Sequence, residues 1–201
     1  MLHIKAAAIC LSLICAVTIF ARPTSIIVTN TNDNGPGSLR QAIVDAHDGD
    51  TIDATGISGV ITLNTGQLLV DKSLTINGAG PDLLAVDGNA TSRVFQIGSV
   101  KSVTISALTI RNGQGGIGGG IFNADSAMLT ITNSTLNGNT AGLGGGVFNA
   151  GTLTVVSSTI SDNTASEGAG FYNSGANTLT VTNSTLSGNA APAAEIGRAH
   201  V

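Results

Sequence analysis

The segment LTITNSTL at residues 129–136 recurs as LTVVSSTI at 153–160 and as LTVTNSTL at 179–186. The successive offsets are 24 and 26 residues. A second block keeps the same step, and its three copies are GGGIFN at 118–123, GGGVFN at 144–149 and GAGFYN at 168–173. Two blocks that repeat together with a period in the twenties predict a solenoid.

Within each copy, apolar and polar residues alternate, which is the periodicity of a strand rather than a helix. The segments are rich in Thr and Val, and Asn-Gly, Ser-Gly and Gly-Gly pairs separate them. We therefore predict an all-β parallel β-helix in which one repeat of about 24–26 residues forms one coil with three short strands, LTIT, STLNGN and GGGVFN.

Stacking of the coils predicts side-chain ladders at identical positions. The interior ladders are expected to be Leu129/Leu153/Leu179 and Leu136/Ile160/Leu186. A further column at one turn is predicted to hold Asn139, Asn163 and Asn189, whose side chains satisfy backbone groups of the next coil.

The composition bounds the class of protein. The chain has 201 residues, 42% of them hydrophobic, 10% charged and 27 of them Gly, with a formal net charge of −4. This is enough apolar material for one core, and the charge gives no reason to expect a nucleic-acid or anionic-membrane partner.

The first 21 residues have the pattern of a secretory signal peptide, with Lys5 before an uncharged apolar run that is short for a membrane span. Both cysteines, Cys10 and Cys15, lie in this segment. We therefore expect an exported mature chain without a disulfide, a thiolate metal site or a transmembrane helix.

Residues 22–56 are predicted to cap the solenoid as a strand, a helix and a second strand. Ser38 is the expected N-cap of a helix that runs to about Ala46, with Leu39, Ala42 and Ile43 on its apolar face. Residues 57–194 are assigned to the coils, which are less regular before Gly113.

The entry region resembles that of bacterial secreted right-handed parallel β-helix proteins with a CSLREA-type N-terminal domain. The resemblance lies in VTNT at 28–31, GSLRQAI at 37–43, GDTI at 49–52 and LTING at 74–78, although Gly37 and Gln41 depart from the motif's Cys and Glu. The GGGIFN and GGGVFN blocks are similar to the repeats of chlamydial polymorphic outer-membrane proteins. The resemblance implies a right-handed coil and an extracellular or cell-surface location, which includes the outer membrane of bacteria. It also implies that the repeats serve as a rigid spacer or an adhesive surface.

The repeat pattern stops near Ala194, and EIGRAHV at residues 195–201 belongs to no coil. We interpret this tail as the translation of a sequencing-adapter oligonucleotide, so that the chain is expected to be a fragment of a protein with further coils.

The search for chemistry yields no predicted catalytic residue, cofactor site or metal site. Residues 113–118 match the dinucleotide-binding pattern, but no helix is predicted after them. His47 stands beside Asp45, Asp48 and Asp50, which is typical of a solvated acidic turn.

A polysaccharide lyase or hydrolase is the alternative function, because a hydrolase needs two carboxylates that face one cleft. The acidic residues of the coils look scattered, and Arg93 and Arg111 look like isolated, exposed turn or capping residues. If the protein is such an enzyme, its active site is expected on later coils, beyond Ala194, or on the irregular early coils. These acidic residues are Asp82, Asp87, Asp125, Asp162 and Glu167.

Two outward rows remain. Threonines at 130, 132, 154, 180 and 182 form a ladder of the kind that ice-binding solenoids use, interrupted by Val156, although strand propensity also explains them. Phe122, Phe148 and either Phe171 or Tyr172 are predicted to stack along one edge, where Phe122, Phe148 and Tyr172 are our candidate contact residues for surface glycans or for host or cell-surface proteins. The expected function is therefore a non-catalytic, adhesin-like exported scaffold.

Overall fold

The computed structural model describes residues 22–191, in which six coils of parallel β-structure follow an N-terminal cap. The predicted signal peptide and the tail at 195–201 lie outside the described residues. Within residues 22–191, no helix has the length and apolarity that a membrane crossing requires.

The first two coils contain three strands each, the next three contain four, and the sixth is described through two strands. In chain order the elements are β1 (Ser25–Ile27), α1 (Leu39–Asp45), β2 (Thr51–Asp53), β3 (Gly59–Thr62), β4 (Leu68–Val70), β5 (Leu74–Asn77), β6 (Leu84–Asp87), β7 (Phe95–Ile97), β8 (Ser102–Ser106), β9 (Thr109–Arg111), β10 (Gln114–Ile117), β11 (Ile121–Asn123), β12 (Met128–Thr132), β13 (Thr135–Asn137), β14 (Thr140–Leu143), β15 (Val147–Asn149), β16 (Thr152–Val156), β17 (Thr159–Ser161), β18 (Thr164–Glu167), β19 (Phe171–Asn173), β20 (Thr178–Thr182) and β21 (Thr185–Ser187).

These strands form four parallel sheets along the solenoid, because each strand pairs with its equivalent in the next coil. The seven-stranded sheet has the order β1-β2-β5-β8-β12-β16-β20, and the six-stranded sheet has the order β3-β6-β9-β13-β17-β21. A five-stranded sheet runs β4-β7-β11-β15-β19, and a three-stranded sheet runs β10-β14-β18.

The predicted interior ladders are confirmed by the register. Leu129 pairs with Leu153, which pairs with Leu179, and Leu136 is followed by Ile160 and Leu186. Leu136, Leu153 and Ile160 are fully buried. The apolar residues of the alternating pattern therefore point inward, and a single core runs through the coils.

The regular coils differ from the prediction by a fourth short strand, which the sequence analysis treated as a turn. Strands β10, β14 and β18 pair in register, but they are built from residues such as Gly115, Ala141 and Ser166 with little alternation. They form because coils of nearly equal length bring their backbones side by side, which satisfies N–H and C=O groups without a hydrophobic pattern.

Asparagine ladders join the regular coils. Asn163 is fully buried; its Oδ1 accepts from the Asn139 amide groups and its Nδ2 donates to Asn189 Oδ1 at 2.9 Å. This confirms the predicted column. A second column, Asn123, Asn149 and Asn173, repeats the arrangement with Nδ2 to Oδ1 distances of 2.7 Å and escaped the sequence analysis.

The cap has the predicted form. Ser38 is the N-cap of α1, and its side chain accepts a hydrogen bond from Gln41 N. Leu39, Ala42 and Ile43 are buried in the core. The helix thus covers the apolar end of the first coils, and β1 extends the seven-stranded sheet beyond β2.

The corner before the five-stranded sheet requires glycine. Gly144 has φ +68°, and a Cβ on it would lie 2.6 Å from Val147 O. Gly118 and Gly168 hold the same corner in the adjacent coils with φ +61°. The Gly-rich block therefore makes a tight turn in which the glycine lies against the backbone of the residues three and four positions later, Val147 and Phe148 in the case of Gly144.

Candidate functional site

The candidate aromatic residues form a column on the outer face of the five-stranded sheet. The register places Phe122, Phe148 and Tyr172 side by side in β11, β15 and β19. Their ring centroids are 5.6 Å and 5.1 Å apart, and the Phe148 and Tyr172 rings are nearly parallel, at 14°. Phe171 points into the core instead, with 2% exposure, so the structure selects Tyr172 between the two residues left open by the sequence.

Arg93 lies at the first end of this column. Its guanidinium carbon is 5.1 Å from the centre of the Phe122 ring, and its nitrogens donate to the carbonyls of Ile117 and Gly118. Partial burial lowers the pKa of the Arg93 guanidinium. Arg93 therefore caps turn carbonyls, as one of the predicted roles has it, but it is neither isolated nor exposed, because the stacking of coils brings Phe122 under its guanidinium.

Phe122 and Phe148 present their ring edges rather than their ring faces. Phe148 has an exposed fraction of only 9%, because Phe122 and Tyr172 stack on its two sides. One face of Phe122 is covered by Arg93. Stacking of a sugar ring needs an accessible aromatic face, whereas apolar side chains of a protein partner can pack against edges.

A polar groove lies on the outer face of the six-stranded sheet. Arg111 and Asp87 are paired there, with Arg111 Nε 2.8 Å from Asp87 Oδ2. Asn112 Nδ2 donates to the same carboxylate oxygen at 2.9 Å. From the sequence, Arg111 looks isolated. It lies 24 residues after Asp87, which is the length of one coil, and this spacing is the signal in the sequence that indicates the ion pair.

Asp82 lines the same groove together with Val60 and Leu83. The other acidic residues lie elsewhere: Glu167 belongs to the three-stranded sheet, and Asp125 and Asp162 stand in turns. The structure therefore brings together Asp82, Asp87 and Arg111 on one face of the early coils and leaves the rest scattered, as predicted.

The acidic turn at His47 serves the cap. The Asp50 carboxylate is nearly buried and accepts hydrogen bonds from Thr24 N, Thr24 Oγ1 and His47 N. Asp48 accepts instead from the backbone of Ser73 in the next coil. Across the described chain, 22–191, no three His, Cys, Asp or Glu side chains are grouped as metal ligands.

Hydrogen bonds lower the pKa of three carboxylates in the cap, Asp33, Asp48 and Asp50. Hydrogen bonds from Thr24 and His47 lower the pKa of Asp50, and the hydrogen bond from Ser73 lowers the pKa of Asp48. Burial alone raises the pKa of Asp33, but hydrogen bonds from Arg40, Thr65 and the Asn64 backbone outweigh it and leave the pKa below its ordinary value. Such groups act as hydrogen-bond acceptors rather than proton donors.

Residues 113–118 carry no dinucleotide fold. Residues 114–117 of this segment form strand β10, and the chain then turns into β11 without a helix whose N-terminus could face a phosphate.

The sequence was compared with known proteins. The family model described as a right handed beta helix region matches residues 48–199. Searches of curated proteins and of solved structures gave no significant match.

Proposed function

The chain belongs to the family of right-handed β-helix regions, and from this membership we propose that it is an exported, non-catalytic scaffold whose outer faces contact surface glycans or cell-surface proteins. The signal-peptide pattern of residues 1–21 and the resemblance of the entry region to CSLREA-type proteins support export to the cell surface or the medium. The repeat resemblance to chlamydial polymorphic outer-membrane proteins supports an adhesin-like role.

The observation that carries the proposal is the use of charged side chains as connectors between coils. Arg40 is bound to Asp33 at 2.7 Å and also donates to the carbonyls of Gly66 and Gln67, 26 and 27 residues later in the chain. Arg93 likewise connects Gln67 with the turn at Gly118. Groups fixed in this way rigidify a scaffold.

The lowered carboxylate pKa values support the same proposal. A general acid at neutral pH needs a carboxyl group whose pKa is raised by its surroundings. Asp33, Asp48 and Asp50 have the opposite shift: Asp33 and Asp50 accept several hydrogen bonds, and Asp48 accepts from the Ser73 backbone and faces Lys101.

The aromatic column is the contact surface that we assign to the scaffold. Its ring edges, contributed by Phe122, Phe148 and Tyr172, form an uninterrupted apolar row across three coils. Because the faces of Phe122 and Phe148 are covered within the column, a protein partner fits this surface better than a row of stacked sugar rings.

A second candidate function, a carbohydrate-active enzyme, is favoured by one observation. The groove of the six-stranded sheet combines Asp82 with the Arg111–Asp87 pair on the early coils, and acidic and basic groups on one outer sheet face are what a lyase or hydrolase on this fold needs.

One pair of assays separates the two functions. Purified protein is incubated with a panel of neutral and acidic polysaccharides, and chain cleavage is followed through new reducing ends and unsaturated products. The scaffold predicts no cleavage by the native protein. Cleavage that is lost in Asp82→Asn but kept in the matched variant Asp125→Asn would establish the enzyme instead.

Binding is measured in parallel on intact cells, on a glycan array and on purified cell-surface proteins. The scaffold predicts saturable binding that weakens in Tyr172→Ala and persists in Leu83→Ala, an exposed apolar residue on a different face. The absence of any saturable binding, or equal binding by both variants, contradicts the assignment of the column.

A further inference from the structure

Threonine occupies one outward position of the seven-stranded sheet in six consecutive coils. The paired residues are Thr51, Thr75, Thr104, Thr130, Thr154 and Thr180. The threonine ladder predicted from the sequence included only the last three, although the segments around Thr75 and Thr104 also align, at an offset of 29 residues. The column is thus twice as long as the sequence analysis indicated.

In coils three to six this column lies within a broader array, the threonine face. Three outward residues from each of β8, β12, β16 and β20 make up this face, and ten of the twelve carry a hydroxyl group. The two exceptions are Met128 and Val156, and none of the twelve is charged. The members are Ser102, Thr104, Ser106, Met128, Thr130, Thr132, Thr152, Thr154, Val156, Thr178, Thr180 and Thr182.

The hydroxyl groups along the central column are not used by the fold. Among residues 22–191, the Oγ1 atoms of Thr104, Thr130, Thr154 and Thr180 make no hydrogen bond to another side chain or to the backbone. By contrast, the hydroxyl groups of the serines at the neighbouring corner, such as Ser134 and Ser158, donate hydrogen bonds to backbone carbonyls. A hydroxyl left open in every coil is available to an external partner.

The array is regular and stiff. All five residues of β12 pair in register with β8 and with β16, so equivalent hydroxyls repeat at roughly 4.8 Å across the coils and roughly 6.7 Å along a strand. Threonine is branched at Cβ, so its hydroxyl and methyl have few rotamers to lose when they become ordered.

The adjacent six-stranded sheet shows that the arrangement is not a general property of the coils. It also has an outward threonine column, including Thr135 and Thr159, but the next column contains the ion pair of Asp87 and Arg111. Among the sheets formed by residues 22–191, only the seven-stranded sheet combines threonines with a surface that is free of charge over four coils.

We propose that the threonine face binds an ordered lattice of water, the surface of an ice crystal. Ice exposes a repeating plane of oxygen atoms, and a rigid two-dimensional array of hydroxyls can exchange hydrogen bonds with that plane while the methyl groups lie between its waters. Charged groups would hold hydration shells of a different geometry, and the face has none. This property is additional to the scaffold function and independent of it.

The test is ice recrystallisation inhibition and thermal hysteresis with the purified full chain. Thr154→Lys introduces one charge at the centre of the face, and Thr159→Lys introduces the same charge five residues later on the six-stranded sheet. We expect the native protein to slow ice-grain growth, Thr154→Lys to lose most of this activity, and Thr159→Lys to keep it. Circular dichroism establishes that both variants keep the β-fold.

A gain-of-function variant guards against loss through misfolding. Val156→Thr replaces one of the two side chains that lack a hydroxyl, and we expect it to raise the activity above that of the native protein. The inference is overturned if the native chain leaves ice growth unchanged, if the two lysine variants lose activity equally, or if Val156→Thr shows no gain. Binding of the face to a crystalline polysaccharide without any effect on ice would also overturn it.

Discussion

Replacement of Asn163 by alanine is expected to destabilise the regular coils strongly. The Asn163 side chain lies fully buried at the middle of the first asparagine ladder. Its Oδ1 accepts from Asn139 N at 3.0 Å and from Asn139 Nδ2 at 2.9 Å, and its Nδ2 donates to Leu136 O at 3.0 Å and to Asn189 Oδ1 at 2.9 Å.

The magnitude follows from these four hydrogen bonds. A net contribution near 1 kcal/mol for each gives a loss of about 4 kcal/mol. Asn139 Nδ2 and Asn189 Oδ1 keep a second partner after the change, in Ile110 O and in the Asn163 backbone N–H, so this value is an upper estimate. Folded domains have about 5–15 kcal/mol of stability in total, so the change is a large fraction of it.

Urea unfolding followed by far-ultraviolet circular dichroism measures the loss as a difference in the free energy of unfolding. The matched control is Asn133→Ser. Asn133 is exposed at a corner with φ +48°, and Ser157 holds the same corner in the next coil with the same φ. The control should change the free energy by less than about 0.5 kcal/mol. A loss below about 1 kcal/mol for Asn163→Ala would refute the reasoning that the ladder binds the coils together.

Three further predictions rest on the cap and the aromatic column. Hydrogen bonds from Thr24 and His47 lower the folded-state pKa of Asp50. The stabilisation that Asp50 contributes is therefore complete above the unfolded pKa near 3.8 and is lost as the pH falls through the lower folded value. Asp50→Asn should make the melting temperature fall less steeply below that pH, and an acid profile equal to that of the native protein would contradict this. Phe148→Ala removes a ring that is packed on both sides and should cost about 3 kcal/mol in urea unfolding, against a smaller loss for Tyr172→Ala at the end of the column; equal losses would argue against the column as a packed unit. Arg93→Lys keeps the charge but loses the planar fork that spans two carbonyls, and should cost about 2 kcal/mol; a neutral effect on the melting temperature would show that the fork contributes nothing.

The regular coils were predictable because each carries the same signal at the same step. The 24- and 26-residue offsets fix the register, and register alone places Leu153 over Leu129 and Asn163 over Asn139. The N-cap at Ser38 was predictable for a different reason, since a hydroxyl before an amphipathic segment is a local signal that needs no knowledge of the coils.

Two of the features that escaped prediction depend on contacts in the early coils, whose lengths are unequal. Asp87 and Arg111 lie one coil apart in a region without a visible repeat, so neither residue alone indicates the pair. The first half of the threonine column was not joined to the second, because the 29-residue step from Thr75 to Thr104 differs from the 24- and 26-residue steps of the later coils. The fourth strand was missed because it lacks hydrophobic alternation altogether.

The first and last halves of the solenoid hold their coils together in different ways. Up to Asp125 the coils vary in length, and long or charged side chains such as Arg40 and Arg93 reach across the uneven turns to specific carbonyls. From residue 126 to residue 191 the only charged residues are Asp162 and Glu167. There the coils match closely enough for short amide and hydroxyl side chains to bond to their equivalents in the next coil. This division explains how one outer face of the regular coils remains free of charge. Because buried ladders of asparagine and serine supply the cohesion, the outward threonines are released from any structural task, and a uniform surface is compatible with a stable stack.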